Sequence, residues 1–283
     1  MRVAGSGTRA QMLTSPSLVV GAVLCGLVVL SALVSLAWTP FPADQMNIAV
    51  RLQGPDTVHW LGTDHFGRDV AARLLEGARN ALAVGTLAVA VGMGVGVMTG
   101  LAAAALAGGW LDEALMRATD FTFAFPAVLT AILLTAAVGP GLTISILAIG
   151  IFNIPVFARI TRGSAEVVWK REYVVSALAI GKGRARITTD HVLPNIAGVL
   201  IVQATISFAV AILAEAGLSY LGLGTQPPTA SWGRMLFEAR TFLAESPHLA
   251  IFPGLAIAVA VLGINLLGDG LRDAFDPKSG AVY

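Results

Sequence analysis

The sequence has little charge and a single cysteine. Charged residues make up 12% of its 283 residues, apolar residues make up 56%, and the mean hydropathy is +0.78. A soluble domain carries about 25% charged residues, because its surface must be wetted, so this composition excludes an ordinary soluble domain. Cys25 has no partner for a disulfide within the chain and supports no cysteine metal site. The net charge of +1 gives no overall basic field for nucleic acid.

The sequence also lacks the motifs of enzymes. A P-loop needs a glycine, four residues and then Gly-Lys-Ser/Thr, and the closest run, Gly181-Lys182-Gly183, has neither the leading glycine nor the hydroxyl residue. No H-E-x-x-H or G-x-S-x-G is present, and the four histidines are scattered. We therefore expect no catalytic residue, no metal and no cofactor on this chain, so that any ATP and Mg²⁺ used would belong to a partner.

Six apolar stretches are present instead, each near the ~20 residues that a helix needs to cross a membrane. They cover residues 17–38, 80–107, 115–138, 142–158, 195–216 and 248–267, and only Gly139-Pro140-Gly141 separates the third from the fourth. Lipid offers backbone amides no partner, so these stretches predict an all-α polytopic membrane protein with six transmembrane helices. The first run is longer than the 7–15-residue core of a signal peptide, which favours a retained helix.

The basic residues predict the orientation. With the N-terminus inside and alternating helices, twelve of the 18 lysines and arginines fall on the inner side. The expected organisation is a cytoplasmic N-terminus, a first transmembrane helix, an extracytoplasmic segment, a five-helix core and a cytoplasmic C-terminus, at residues 1–16, 17–38, 39–79, 80–270 and 271–283. The core includes an inner loop at 159–194 and an outer loop at 217–247. We expect an inner-membrane location with both termini cytoplasmic.

The inner loop at 159–194 is basic but keeps apolar residues at partial helical spacing. This pattern predicts an amphipathic helix that Gly181 and Gly183 interrupt, followed by a second short helix over 184–192 that Pro194 stops. Such a helix pair suits docking to a partner protein. Its basic residues are equally typical of a pair lying on lipid headgroups, and the residues alone leave both interpretations open.

The spans contain few polar residues and one spaced set of glycines. Gly92, Gly96 and Gly100 recur at every fourth residue, which predicts a helix-packing face. Glu215 is the clear intramembrane carboxylate and therefore a candidate for the translocation pathway, although a paired structural role is the stronger interpretation.

Two further features concern the third and fourth stretches. Asn153 and Pro155 would loosen the fourth span and predict a kink, which is a common gating device and also common packing. Asp120 at the start of the third span follows Arg117 by one turn, so we expect these two to form an ion pair.

The inner loop carries a recognisable pattern. It reads Glu-Tyr-Val-Val-Ser-Ala-Leu-Ala-Ile-Gly over 172–181 and Asp-His-Val-Leu-Pro-Asn over 190–195. This resembles the EAA loop of type I ABC importer permeases, in the form found in dipeptide and oligopeptide permease C subunits. Val175 stands where the pattern has glutamate and His191 where it has isoleucine. The resemblance assigns ATPase coupling to Glu172, Tyr173, Val175, Ser176, Ala177, Leu178, Gly181, His191, Leu193 and Pro194.

Three further blocks resemble the same subfamily, at 59–79, 218–233 and 252–273. Together with the loop they cover nearly the whole chain after about residue 15. The resemblance implies the type I (MetI-like) permease fold and half of a translocation pathway for small peptides. It also implies a second homologous permease, one or two ABC ATPase subunits and an extracytoplasmic substrate-binding protein as partners, with lipid around the helices.

Three alternatives remain open. The same architecture serves importers of nickel, glutathione or another small solute. A stand-alone secondary transporter would need intramembrane ion relays, for which Glu215 is the one clear carboxylate. A scaffold without transport is the weakest of the three.

Overall fold

The computed structural model describes residues 16–275, which form a bundle of long helices with one isolated bridge between Thr63 and Asp69. The two termini, expected at 1–16 and 271–283, lie mostly outside these residues. The helices are α1 (Pro16–Ala37), α2 (Val70–Ala105), α3 (Trp110–Ala124), α4 (Ala127–Val138), α5 (Leu142–Trp169), α6 (Glu172–Ala179), α7 (Arg184–Ile187), α8 (Leu193–Tyr220), α9 (Trp232–Ala239) and α10 (His248–Phe275).

Five of the described helical stretches are long and apolar enough to cross a membrane, and the bent pair of α3 and α4 makes a sixth where it is counted as one broken span. The all-α polytopic class with five to six spans is therefore confirmed. The third span is not the single helix expected over 115–138, because α3 and α4 meet at an angle of 82°. Pro126 explains the break: it has no N–H to donate and holds Phe125 in extended backbone (φ −86°, ψ 122°).

The second helix begins well before its apolar run. Asp69 caps it by accepting a hydrogen bond from the backbone N–H of Ala72 at 2.7 Å, so α2 starts at Val70 and not at the apolar boundary near residue 80. Its 36 residues span ~54 Å, more than the ~30 Å of the hydrocarbon core. The helix therefore reaches into the segment that precedes it.

Pro194 does not end a helix, contrary to the expectation. The chain is helical from Arg184 to Tyr220, with a π-helical turn over Thr188–Val192 between α7 and α8. In that turn the N–H of Leu193 donates to the carbonyl of Thr188, five residues back, and the wider turn makes room for a proline in the first turn of α8. The second short helix of the inner loop is thus the start of the fifth span.

The three spaced glycines lie against α5. A Cβ placed on Gly92 would lie 2.3 Å from Cβ of Asn153, and one on Gly100 would lie 2.5 Å from the carbonyl oxygen of Ala158. A Cβ on Gly96 would lie 2.5 Å from the carbonyl oxygen of Ile154. No side chain fits between the two helices at these positions, so α2 and α5 pack backbone to backbone along this face.

A substitution at Gly96 tests this packing. Gly96→Ala should lower the free energy of unfolding by about 1–3 kcal/mol, because the added methyl group forces the two backbones apart. Gly94→Ala on the same helix is the matched control: its Cβ meets no atom within 4 Å, so helix propensity should leave stability equal or raise it. Denaturation in detergent, followed by tryptophan fluorescence, measures both. Equal stability of the two variants would contradict the close approach.

Candidate functional site

The inner loop folds into a compact elbow, defined as residues 170–194. Val174 and Ala177 on the inner face of α6 are buried. They pack in one apolar cluster with the ends of α2, α5 and α8, whose members include Ala104, Val168 and Ile196. The elbow is therefore anchored to three spanning helices and does not lie loosely beside them.

Gly181 makes the reversal between α6 and α7. Its φ of +87° is a conformation that residues with a side chain rarely adopt. The N–H of Gly181 donates to the carbonyl of Leu178, and that of Lys182 donates to the carbonyl of Ala177, both within 3.1 Å. These two bonds are the Schellman pattern that closes a helix end. Helix α6 is thus stopped by a defined turn.

Polar contacts fix the turn from both sides. Lys182 Nζ lies 2.9 Å from the carboxylate of Asp190 and 3.0 Å from Nε2 of His191, and the His191 ring meets that of Tyr173 edge to face at 6.1 Å. Arg184 donates to the backbone carbonyl of Ala105 at 2.6 Å, at the C-terminal end of α2. His191, where the pattern has isoleucine, therefore has a structural role in holding the elbow together.

Helix α6 leaves large apolar side chains uncovered by the described residues, on the two flanks of its buried face. Tyr173, Val175, Leu178 and Ile180 are all exposed, Ile180 to 85%. Glu172, Ser176 and Pro194 are exposed as well, whereas Leu193 is half-buried. Exposed apolar side chains on a short, firmly anchored helix are typical of a surface that another protein covers.

Two arginines near the end of α5 hold α3. Arg162 forms two hydrogen bonds with the carboxylate of Asp112, at 2.7 and 2.8 Å. Arg159 bonds Asp120 at 2.6 Å. The expected pair between Arg117 and Asp120 is wrong: Arg117 bonds Glu113 of its own helix, because the side chain of Asp120 turns toward α5.

At the opposite end of the molecule a buried ion cluster ties the segment before α2 to α9. Asp64 and Glu238 each accept from both Arg68 and Arg73, with separations between 2.6 and 3.1 Å, and all four side chains are at most 10% exposed. Arg234, which is 18% exposed, also reaches Glu238 at 3.1 Å, so both buried carboxylates are fully paired with arginine, as buried charges require. His65 lies beside the two carboxylates, but the guanidinium groups already occupy them, so this is no metal site.

The sequence analysis missed this cluster. Arg68 and Arg73 lie near the start of α2, and Glu238 follows some 170 positions later. The only sign of this ion cluster in the sequence is the concentration of charged residues in an otherwise apolar chain. Burial opposes the ionisation of Asp64, but Arg73, Arg68 and two backbone N–H groups outweigh it, so the pKa of Asp64 lies below its usual value.

The three candidate pathway residues are buried within the chain. Glu215 accepts hydrogen bonds from the hydroxyl groups of Ser219 at 2.6 Å and Thr225 at 3.2 Å. Asn153 donates to the carbonyl of Ile149, and Pro155 is buried inside a continuous α5. Their role in a pathway stays a prediction, since their visible contacts are structural.

Comparison with known proteins identifies the family to which this chain belongs. Residues 96–280 match the family "binding-protein-dependent transport system inner membrane component". The chain belongs to this family of ABC importer permeases. It is 42% identical to the dipeptide transport system permease protein DppC of Alkalihalophilus pseudofirmus over 260 residues, which is 92% of this chain and 85% of that protein.

Two further similarities agree with this placement. The glutathione transport system permease protein GsiD of Pectobacterium atrosepticum is 44% identical over 265 residues, covering 91% of this chain and 87% of that protein. An inward-facing structure of the MetNI methionine ABC transporter covers 72% of this chain and 96% of its own, with a TM-score of 0.61 and 16% identity. At that identity it shows the shared fold. This permease is thus a multi-pass inner-membrane protein with the type I fold expected from its sequence.

Removing one member of the buried ion cluster should destabilise the folded state. Asp64→Asn should lower the free energy of unfolding by about 3–5 kcal/mol, because it leaves buried arginine charge uncompensated. Glu113→Gln, which opens the exposed pair with Arg117, is the control and should cost at most about 1 kcal/mol. Detergent denaturation at neutral pH compares the two.

The lowered pKa of Asp64 predicts how the stability difference between wild type and Asp64→Asn depends on pH. The folded pKa of Asp64 lies below the value of about 3.9 for a free aspartate, so its stabilising charge is present at every pH above that value. It is lost as the pH falls through the folded pKa. The difference between wild type and Asp64→Asn should therefore be constant from about pH 5 to about pH 8 and shrink in stronger acid. A difference that shrinks near neutral pH would contradict the assignment.

Proposed function

We propose that this chain is one of two permease subunits of an ABC importer for small peptides. The observation that carries the proposal is the anchored elbow with its exposed apolar side chains, in a chain related over most of its length to a dipeptide permease. A second, homologous permease forms the other half of the pathway. Separate ATPase subunits supply the energy, so this chain is no enzyme, and an extracytoplasmic binding protein delivers the solute.

In this proposal α6 is the helix that docks into the ATPase. Tyr173, Val175 and Leu178 form its contact surface, and the aliphatic Val175 in place of a glutamate makes that contact apolar. The firm anchoring of the elbow supports docking over the headgroup alternative. A helix that only rested on lipid would need neither the Schellman turn nor the bond from Arg184 to the end of α2.

The basic elbow then lies in the cytoplasm, with both termini on the same side. The continuous helices Leu142–Trp169 and Arg184–Tyr220 lead from it across the membrane. Closure of the ATPases on ATP would pull the elbow, and both helices would move with it as levers. A stiff connection of this kind converts a displacement at one face into a tilt around the solute path.

Glutathione is the second candidate substrate, because a glutathione permease is as similar to this chain as the dipeptide permease. Both solutes are small peptides with free amino and carboxyl groups. Nickel is the remaining alternative within this architecture, and a stand-alone transporter is the alternative outside it. A stand-alone transporter would need an ion relay within its spans. In the described spans Glu215 does not provide one, since it bonds only to neighbouring hydroxyl groups.

Uptake measurements separate these candidates. In a strain that lacks the gene, plasmid-borne wild type should restore uptake of labelled dipeptide, and unlabelled dipeptide should compete with it. Labelled glutathione and nickel are measured in parallel. Restored nickel uptake without peptide uptake would refute the substrate class, and transport by the purified chain alone in liposomes, without ATPase subunits, would refute the importer mechanism.

Gly181→Asp tests the coupling role of the elbow. The substitution strains a φ of +87° that favours glycine, so it should leave membrane insertion intact but reduce uptake at least tenfold while ATP hydrolysis continues uncoupled. Gly183→Asp is the matched control, because Gly183 has an ordinary φ of −64° and open space around it. Immunoblots of membranes, uptake and ATPase assays measure the three properties. Normal uptake by Gly181→Asp would refute the coupling role.

A further inference from the structure

A long apolar groove separates α1 from the body of the molecule, at the end of the bundle away from the elbow. It is lined by α1, the start of α2 and the first half of α10, and its volume is about 590 Å³. Along α1 it extends from Leu27 to Trp38, which is ~16 Å of helix. Among the described residues no charged side chain lines it, and the hydroxyl of Ser31 donates to the carbonyl of Leu27 in its own helix. The groove therefore suits an apolar ligand.

The groove has a floor of small buried residues and walls of large exposed ones. Ala71 and Ala78 on α2 are at most 8% exposed, whereas Leu27 and Leu30 on α1 and Leu255 on α10 are between 53% and 58% exposed. Helices in lipid approach one another closely over small residues, as α2 and α5 do along their glycine face. The branched walls keep a further helix away from the small floor, so the shape favours a thin apolar chain.

The two halves of α1 pack differently. In the half that begins at Pro16, α1 rests directly on α10, because a Cβ on Gly263 would lie 2.8 Å from Cβ of Leu24 and one on Gly270 would lie 2.7 Å from Cβ of Leu18. In the half that ends at Ala37, the groove opens between α1 and the start of α2. This second half therefore leaves room for a ligand beside α1.

The length of α1 fixes the position of the groove in the membrane. Its 22 residues contain no charge and span ~33 Å, close to the ~30 Å of the hydrocarbon core, so its two ends lie at the two boundaries of that core. The groove covers the half of α1 that ends at Ala37. Its ~16 Å match the ~15 Å that the acyl chains of one leaflet occupy. It therefore runs from one boundary to about the middle of the bilayer.

Two tryptophans lie at the boundary end of the groove. Trp38 directly follows α1, and its ring centre lies 6.1 Å from that of Trp60 in the segment before α2. Both side chains are more than half exposed, and both line the groove. Tryptophan is enriched where headgroups meet hydrocarbon, because its ring is apolar and its N–H is polar. The mouth of the groove thus lies at headgroup level.

We propose that this groove holds one acyl chain of a phospholipid, from the leaflet on the side away from the elbow. The chain lies over Ala78 between Leu30 and Leu255, and its glycerol end lies beside Trp38 and Trp60. It supplies the dispersion contacts that the walls of the groove otherwise lack, and it makes one lipid part of the packing of α1. This site goes beyond the importer function and does not depend on which solute is carried.

Contact quenching of Trp232 tests whether a chain occupies the groove. Trp232 lines the groove but is 3% exposed, so lipid outside the groove does not reach it. The other four tryptophans are replaced by phenylalanine, and the full chain is placed in nanodiscs of ordinary or chain-brominated phosphatidylcholine. Bromine quenches an indole on contact, at ~4 Å, so the emission of Trp232 should fall at least about twofold in the brominated lipid. Unchanged emission would overturn the proposal.

A variant that fills the groove provides the matched comparison. Ala256 lines the groove, and Ala256→Phe puts a ring where the chain would lie, so the quenching of Trp232 should disappear. Leu33→Phe is the control, because Leu33 is 57% exposed on α1 and lies outside the groove; it should leave the quenching unchanged. Equal quenching in the two variants would show that bromine reaches Trp232 by another route, and the site would then be wrong.

Native mass spectrometry extends the test to the complete transporter with its own tryptophans in place. After detergent has removed loosely bound lipid, wild type and Leu33→Phe should each retain one phospholipid more than Ala256→Phe. The same number of lipids in all three would contradict the proposal. Quenching of Trp232 in the single chain, with no retained lipid in the transporter, would show that the second permease covers this face and would also overturn it.

Discussion

The close approach of α2 and α5 along Gly92, Gly96 and Gly100 is the constraint on which the rest of the structure depends. The hydrophobic effect does not drive helices together when lipid surrounds them. Their contact rests on van der Waals packing, which small residues make possible. Here the Cβ of any larger residue would fall within 2.5 Å of an atom of α5. This contact fixes α5, and α5 in turn carries Arg159 and Arg162 to α3 and leads directly into the elbow. Loosening the glycine face would therefore displace the elbow.

The two ends of the bundle are held by different means. At the end away from the elbow, four buried charges lock the segment before α2 to α9. At the other end, the elbow is joined to α2 by Arg184, to α5 by apolar packing and to α8 by unbroken helix. Because three spanning helices meet there, a displacement of α6 reaches each of them without passing through a flexible loop.

The parts of this architecture that could be predicted are those with a local cause. Apolar runs near 20 residues marked the spans, and the glycine spacing marked a packing face, since both depend on neighbours in the chain. The start of α2 escaped prediction because a cap at Asp69, and not apolarity, begins that helix. Pro194 was misread as a stop because a π turn accommodates it. The cluster around Arg68 and Arg73 needs a carboxylate from α9, and no local pattern reports a partner so far along the chain.

If the elbow couples this permease to an ATPase as proposed, coupling and selectivity reside in different parts of the chain. The elbow is built from contacts that involve no solute, and relatives with dipeptide or glutathione in their names are equally similar to this chain. A coupling surface of this kind serves any cargo, so the elbow cannot select one. Selection within the membrane needs groups that are charged, accessible and not required for folding, since a residue needed for packing cannot change partner during transport. Glu215 and Asn153 fail this condition because they are buried.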